Sequence, residues 1–329
     1  MALLGGAKVP ATSAVRHASP VSIRPTFTGM RRLLFALIVP ALLVAGCGAP
    51  ASHGAGSVAD TGDHPGVTLA ANDGPTLIVL SLDPARPGDN MLSVDLRSAN
   101  GDVVPGAVQV AISIDGVPTP SLTLPSGDRR RAVAIAHSGQ AEITVKATDG
   151  LAASAHATFA LALPIEPLPA STLTDIDAAM RGLHTMREEQ TLTSGGPVLL
   201  FHFEYAAPDR VRYTMLKPGA PITETRLIGA QRFDRDGAGP WTSSNMGFGS
   251  RVPASELARA ATRIALIGRD HDGAEPLIEI AFVQPGGIHY RVWAGANDHL
   301  VRRYTMMANG HYMTGTYTDF DVPLAIAAP

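Results

Sequence analysis

Hydrophobic and polar residues alternate along most of the chain after residue 76, which is the pattern of half-buried β-strands. In the first half, the alternating or apolar runs are 77–82, 91–96, 108–114, 132–135, 141–147 and 155–163. Turn residues separate these runs, and the pair Asn100-Gly101 favours a tight hairpin turn. About seven short strands at this spacing predict an immunoglobulin-like β-sandwich over residues 73–163.

The pattern changes after residue 170, where apolar residues first recur at helical spacing. Leu173, Ile176, Met180 and Leu183 form one stripe, which predicts a helix that begins near Ser171. A second helix is predicted over residues 253–267. Strands are predicted at 198–205, 210–215, 226–228, 231–234, 277–283, 288–293, 300–307 and 312–320. The prediction for 171–329 is therefore an α+β domain, a curved antiparallel sheet (a half-barrel) with helices on its concave face.

Two segments without apolar periodicity separate these parts. Residues 47–72 are rich in Gly, Ala, Ser, Asp and His, which is typical of a flexible tether. Residues 164–170 are rich in proline and predict a stiff, extended linker between the two domains.

The N-terminal region predicts a secretory signal. Arg31-Arg32 precede an apolar run over 33–45, which at about 13 residues is too short to span a bilayer. The small pair Ala45-Gly46 before Cys47 resembles the bacterial lipobox, which implies lipidation of Cys47 and a membrane anchor. Residues 1–46 would then be signal peptide and N-terminal extension, with Met30 as the expected start.

Composition narrows the possible partners. Residues 1–46 hold five basic residues and no acid, so the mature chain keeps 21 basic against 29 acidic residues. An acidic protein of this kind is a poor candidate for nucleic-acid binding. A single cysteine leaves no disulfide and no thiolate metal site, so we predict no cofactor and no metal.

The first domain resembles the YtkA-like and CopC-like sandwich domains, which are extracytoplasmic and often accompany copper-handling proteins. The resemblance lies in residues 82–94 and 100–107, which are mainly turn sequences. The copper-binding members use histidines and methionines near the domain start, whereas this domain has only Met91, His137 and His156. The resemblance therefore implies the fold and not the metal.

The second domain resembles the LolA and LprG/LppX superfamily of lipoprotein carriers and lipid-binding lipoproteins. The matching phrases are residues 206–212, 229–237 with Pro240-Trp241, Val292-Trp293 with 300–303, and 316–323. The resemblance implies a hollow between sheet and helices that holds a lipid or acyl chain without chemistry.

Alternation identifies the side chains that would line such a hollow. The candidates are Phe201, Phe203, Tyr205, Val211, Tyr213, Met215, Ile278, Ile280, Phe282, Ile288, Tyr290 and Val292. The same alternation also builds a sealed core, so an open and a filled interior both remain possible at this stage.

The sequence contains no nucleophile elbow, zincin or phosphate-loop motif, so an enzyme is not predicted. The first hypothesis is an extracytoplasmic lipoprotein, anchored to the cell membrane or outer membrane, that binds or shuttles a lipid or lipidated partner. The second is an accessory of copper handling or envelope stress that acts by protein contact. The third is a structural module of the envelope.

Overall fold

The computed structural model describes residues 66–98, 100–148, 150, 155–194, 196–247, 249, 252 and 255–329. The predicted signal peptide, Cys47 and most of the predicted tether lie outside these residues.

The N-terminal lobe, residues 66–165, contains two antiparallel sheets. Its strands are β1 (Val67–Asp73), β2 (Thr76–Asp83), β3 (Gly88–Ser98), β4 (Val108–Ile114), β5 (Val117–Pro118), β6 (Leu122–Leu124), β7 (Arg130–Ile135), β8 (Gly139–Ala147) and β9 (His156–Leu163). One sheet has the order β1-β2-β3-β7, and the other has the order β5-β4-β8-β9 with β6 paired to β4.

The residues that alternate with period two in the predicted strands are the ones that form the core of this lobe. Leu92, Val94 and Leu96 of β3 are buried, and so is every second residue of β4 from Val108 to Ile114. Side chains of both sheets join one hydrophobic core. A turn is present here, since the Gly101 N–H donates to the Ser98 carbonyl at 2.9 Å, but this bond closes one residue earlier than a turn centred on Asn100-Gly101 would. The chain then crosses to the other sheet, and the immunoglobulin topology stays a prediction.

Strand β1 corrects the predicted tether, because residues 67–72 pair with β2 along their whole length. Val67 and Leu69 are buried in the core of the lobe, and Ala71 packs against it. The strand was missed because its short alternation has only two large apolar residues, Val67 and Leu69, in a segment otherwise rich in small and polar residues.

The C-terminal lobe, residues 166–329, is a twelve-stranded antiparallel sheet and one described helix. Its elements are β10 (Glu166–Pro167), α1 (Ala170–Gly182), β11 (Thr185–Thr193), β12 (Leu199–Ala206), β13 (Arg210–Leu216), β14 (Thr223–Ile228), β15 (Gln231–Asp236), β16 (Thr242–Asn245), β17 (Thr262–Asp272), β18 (Glu275–Gln284), β19 (Ile288–Gly295), β20 (Val301–Ala308) and β21 (His311–Thr318). The strand order is β10-β17-β18-β19-β20-β21-β11-β12-β13-β14-β15-β16. The predicted β-rich class with a large curved antiparallel sheet is confirmed.

The predicted second helix is wrong. Residues 257–260 form a turn, and residues 262–272 form β17. Ala265 and Ile267 join the core of the N-terminal lobe, whereas Ile264 packs with α1. The helical stripe that suggested the helix was Leu257, Ala261 and Ile264, and all three do pack in the core that contains α1. They reach it from a turn and a strand, which explains the error. The predicted linker also contributes to this sheet, because β10 pairs with β17.

The large sheet has two covered faces. The inner face carries Ile280, Phe282 and Val292, which pack against α1. On the outer face, Ala281 of β18 joins the core of the N-terminal lobe, and Tyr312 of β21 packs on Leu77 and Val79 of β2. Strand β2 is therefore buried on both of its faces, and the two lobes share apolar contacts. The division of the chain into two domains at 164–170 stays a prediction.

Candidate ligand-binding site on the inner sheet face

The predicted lining residues of β12 and β13 lie on the inner face as cross-strand neighbours. Phe201 pairs with Met215, Phe203 with Tyr213, and Tyr205 with Val211. The rings form a continuous aromatic row, with centroid distances of 5.7 Å for Phe201–Phe203, 5.7 Å for Phe203–Tyr205 and 5.1 Å for Phe203–Tyr213.

The predicted lining residues of β18 and β19 lie on the same face. Ile280 pairs with Val292 and Phe282 with Tyr290, whose rings stack at 5.0 Å. Ile278 and Ile288 continue the same alternation at the two ends of this strand pair. All twelve predicted residues therefore share one face of the sheet, and their ligand-binding role stays a prediction.

Three central strands, β20, β21 and β11, separate these two groups. They carry Glu188, Tyr304 and Tyr317, which were not predicted and which form a polar cluster with the predicted residue Tyr205. Tyr304 of β20 and Tyr205 of β12 donate their hydroxyls to the two carboxylate oxygens of Glu188, each at 2.7 Å. Tyr317 of β21 is the register partner of Glu188. We call Glu188, Tyr205, Tyr304 and Tyr317 the inner polar cluster.

The cluster was missed because β11 was not predicted as a strand. Its inner positions are Met186, Glu188, Gln190 and Leu192, and the two polar residues in the middle interrupt the hydrophobic alternation. Only Met186 and Leu192, at the two ends of this series, could have indicated a strand from the sequence.

Gly315 of β21 makes room for the cluster. Tyr304 is its register partner, and a Cβ at residue 315 would lie 2.5 Å from Tyr304 Cζ and 2.8 Å from the hydroxyl oxygen. The tyrosine ring therefore lies directly over the glycine, in a position that directs its hydroxyl to Glu188.

Burial governs the electrostatics of the cluster. Burial raises the pKa of the Glu188 carboxyl, while the hydrogen bonds from Tyr205 and Tyr304 lower it in part. Burial, and then the charge of Glu188, raise the pKa of all three tyrosines well above 10.0. No arginine or lysine pairs with Glu188 among the residues that the structure describes.

The tyrosines of the cluster nevertheless keep accessible surface. Tyr205, Tyr304 and Tyr317 are each only partly buried by surface area, although protein atoms surround them closely enough to raise the pKa of each hydroxyl. All three tyrosines also pack against the hydrophobic core that contains α1.

Other large inner-face residues keep accessible surface in the same way. Of the predicted lining, Phe201, Phe203, Val211, Tyr213, Ile280, Phe282 and Val292 are buried, whereas Tyr205, Met215, Ile278, Ile288 and Tyr290 are half-buried. Met306 and Met313, which are paired on β20 and β21, are also half-buried and were not predicted. Tyr205, Ile278 and Tyr290 keep this surface while packing against the core that contains α1.

Helix α1 and the segment 255–261 cover the packed part. Asp177 of α1 is buried and accepts hydrogen bonds from Ser255 Oγ at 2.5 Å, from the Leu257 N–H at 2.8 Å and from the Ala258 N–H at 3.0 Å. Leu257, Ala258 and Ala261 then pack against the helix-side core. One carboxylate of the helix therefore fixes the covering segment.

The histidines are dispersed. His137 and His156 lie at opposite ends of the β8–β9 pair, since Gly139 pairs with Leu163 and Lys146 with His156. His156 contacts Asp73, with 3.0 Å between His156 Nδ1 and Asp73 Oδ2. Within the described part of the chain, no group of three or more His, Cys, Asp or Glu residues is placed to hold a metal ion. No helix in that part is both long and apolar enough to cross a bilayer.

Comparison with known proteins gives partial structural similarity only. No protein-family profile matches the sequence, and no curated protein matches it significantly. The crystal structure of the lipoprotein LppX of Mycobacterium tuberculosis is similar with a TM-score of 0.41 and 13% identity, over 48% of this chain and 97% of that chain. The structure of LprF from Mycobacterium bovis is similar with a TM-score of 0.38 and 13% identity, over 50% and 99%.

Proposed function

We propose that this protein binds a lipid or acyl chain on the inner face of its large sheet, beside α1, without catalysing a reaction. The observation that carries the proposal is the set of half-buried apolar side chains on a face whose other large side chains are buried. The set includes Met215, Ile288, Tyr290, Met306 and Met313. An apolar ligand would remove this surface from water.

Hydrophobic burial alone would supply the affinity. Each methylene group of an acyl chain that enters the hollow contributes about 0.8 kcal/mol. Methionine side chains adapt to irregular shapes, and the aromatic rows provide flat apolar walls. An acyl chain therefore needs no charged side chain of the protein in order to bind.

The proposal includes an extracytoplasmic location. The resemblance of residues 43–47 to a lipobox supports lipidation of Cys47 and anchoring to the cell membrane or outer membrane. A lipid-binding lobe on such an anchor would take up or shuttle a lipid or a lipidated partner within the reach of its tether. Replacement of Cys47 by Ser should release the protein from the membrane fraction and abolish labelling by radioactive palmitate.

The ligand proposal is tested with the full chain, extracted from membranes in mild detergent and analysed by native mass spectrometry. We expect a co-purifying lipid mass. Binding of methyl stearate is then compared in two variants by equilibrium dialysis. Met306→Trp places an indole in the hollow and should weaken binding at least tenfold. His202→Trp places the same side chain on the exposed outer face of β12 and should leave binding unchanged. A lipid-free mass, together with no binding of methyl stearate, would refute the proposal.

A further inference from the structure

The inner polar cluster is an exception on an apolar face. The carboxylate of Glu188 lies on the inner face of the central strand β11, directly opposite Phe203 on β12 and Tyr317 on β21. Burying a carboxylate is costly unless its oxygens are hydrogen-bonded, and here two tyrosine hydroxyls supply those bonds. A fully apolar face would bind an unsubstituted alkyl chain better.

Counting donors and acceptors shows what the cluster still lacks. A carboxylate offers roughly four acceptor positions, and Tyr205 and Tyr304 occupy one on each oxygen. Each of these two tyrosines uses its single proton in that bond, so its oxygen retains lone pairs. Tyr317 adds one hydroxyl proton and its own lone pairs to the count. Protonation of Glu188 would add one more donor, and acceptor positions would still outnumber protons. Most of the unused capacity of the cluster is therefore for a hydrogen-bond donor.

The cluster also borders the space that the ligand would occupy. Tyr205, Tyr304 and Tyr317 keep accessible surface at this depth, and Tyr304 is the cross-strand neighbour of the lining residue Val292. A ligand group that touches these rings would be buried together with the apolar part of the ligand.

We infer that the hollow takes a lipid whose apolar part carries a hydroxyl group, and that this hydroxyl donates a hydrogen bond to the inner polar cluster. The inference rests on the proposed function, because it names the class of lipid that the same hollow would hold. A hydroxyl is small and uncharged and donates one hydrogen bond, which matches the unused capacity. A phosphate or carboxylate group of a ligand would be repelled by the negative charge of Glu188. Among the described residues, no arginine or lysine pairs with Glu188 to offset that charge.

The test uses the full-length protein and uncharged probe lipids of equal chain length. The probes are methyl stearate and three methyl hydroxystearates, with the hydroxyl near the ester, at mid-chain and near the methyl end. We expect at least one hydroxystearate to bind about tenfold more tightly than methyl stearate, since one hydrogen bond to a carboxylate is gained.

A shape-preserving variant then assigns that preference to the cluster. The triple variant Glu188→Met, Tyr205→Phe, Tyr304→Phe replaces the polar atoms and keeps similar volumes, and its affinities for methyl stearate and for the preferred hydroxystearate are compared as a ratio. Its preference for a hydroxystearate should fall to less than twofold. The matched control Glu189→Met removes the neighbouring exposed carboxylate on the outer face of β11 and should keep the preference.

The outcomes are distinguishable. If the wild type binds methyl stearate and all hydroxystearates equally, the inference is wrong and the proposed lipid-binding function stands. If the wild type binds none of the probes, the proposed function fails and the inference fails with it. A preference that persists in a folded triple variant would also refute the inference, and the wild-type comparison decides even if that variant does not fold.

Discussion

The contact between Gly315 and Tyr304 gives a sharp test of the inner face. In Gly315→Ala, the added Cβ would lie 2.5 Å from Tyr304 Cζ and 2.8 Å from its hydroxyl oxygen, which is too close for either atom. The backbone of residue 315 has no positive φ, so the substitution introduces no backbone strain. The tyrosine ring must move, and its hydroxyl must leave Glu188.

The expected cost follows from these two events. Overpacking of a well-packed site costs about 1–3 kcal/mol. Loss of a hydrogen bond to a buried carboxylate adds about 1–3 kcal/mol. We therefore expect Gly315→Ala to lower the free energy of unfolding by about 3 kcal/mol. Without the clash, alanine in a strand is more stable than glycine by about 0.5–1 kcal/mol.

A double-mutant cycle separates these contributions. In the background Tyr304→Val, the ring is absent, so Gly315→Ala should become neutral or stabilising. Urea denaturation of the four proteins measures the coupling between the two sites. Additive effects of the two substitutions would show that Tyr304 does not lie over Gly315, and the geometry of the inner polar cluster would then be wrong.

Two further predictions concern buried carboxyls. Burial raises the pKa of Glu188 above its usual 4.5, so the folded state binds this proton more tightly than the unfolded state. Stability should fall as pH rises from 4.5 through the raised pKa, by up to about 1.4 kcal/mol per pH unit, and Glu188→Gln should remove this dependence. The free energy of unfolding of the two proteins is measured by urea denaturation at each pH. If it changes with pH in parallel for both, the prediction is wrong. Asp177→Asn replaces one acceptor oxygen with an NH₂ group, which should cost about 2–3 kcal/mol and speed hydrogen exchange at residues 257 and 258. The exposed control Asp175→Asn should change stability by less than about 0.5 kcal/mol. Equal losses of stability in both variants would show that the hydrogen bonds of Asp177 do not hold segment 255–261.

Alternation predicted much of the sheet structure. The inner and outer positions of β12, β13, β18 and β19 could be assigned because successive side chains of a strand point to opposite faces of the sheet. In each of these strands the large apolar residues recur at every second position, which marks one face. The helix α1 was predicted from one stripe, whose members Leu173, Ile176, Met180 and Leu183 are all buried. These elements are long and strongly periodic, so local sequence was sufficient.

Prediction failed where a strand contacts two different cores or carries polar residues inward. Residues 264–267 are apolar, and β17 contacts both the N-terminal lobe and the core that contains α1, so the apolar run is not specific for a helix. Strand β11 was missed because Glu188 and Gln190 occupy inner positions. In both cases the environment comes from residues that are distant in the chain.

The sequence by itself determined the strand-rich class, the amphipathic helix and which side of each regular strand is apolar, because these depend on residue spacing along a few turns or pairs. Only the tertiary structure decided that Glu188 and Tyr205, on β11 and β12, meet Tyr304 and Gly315, on β20 and β21. It also decided which apolar residues are packed and which keep accessible surface. Those properties depend on the register of strands more than 100 residues apart, such as β11 with β21, which no local pattern encodes.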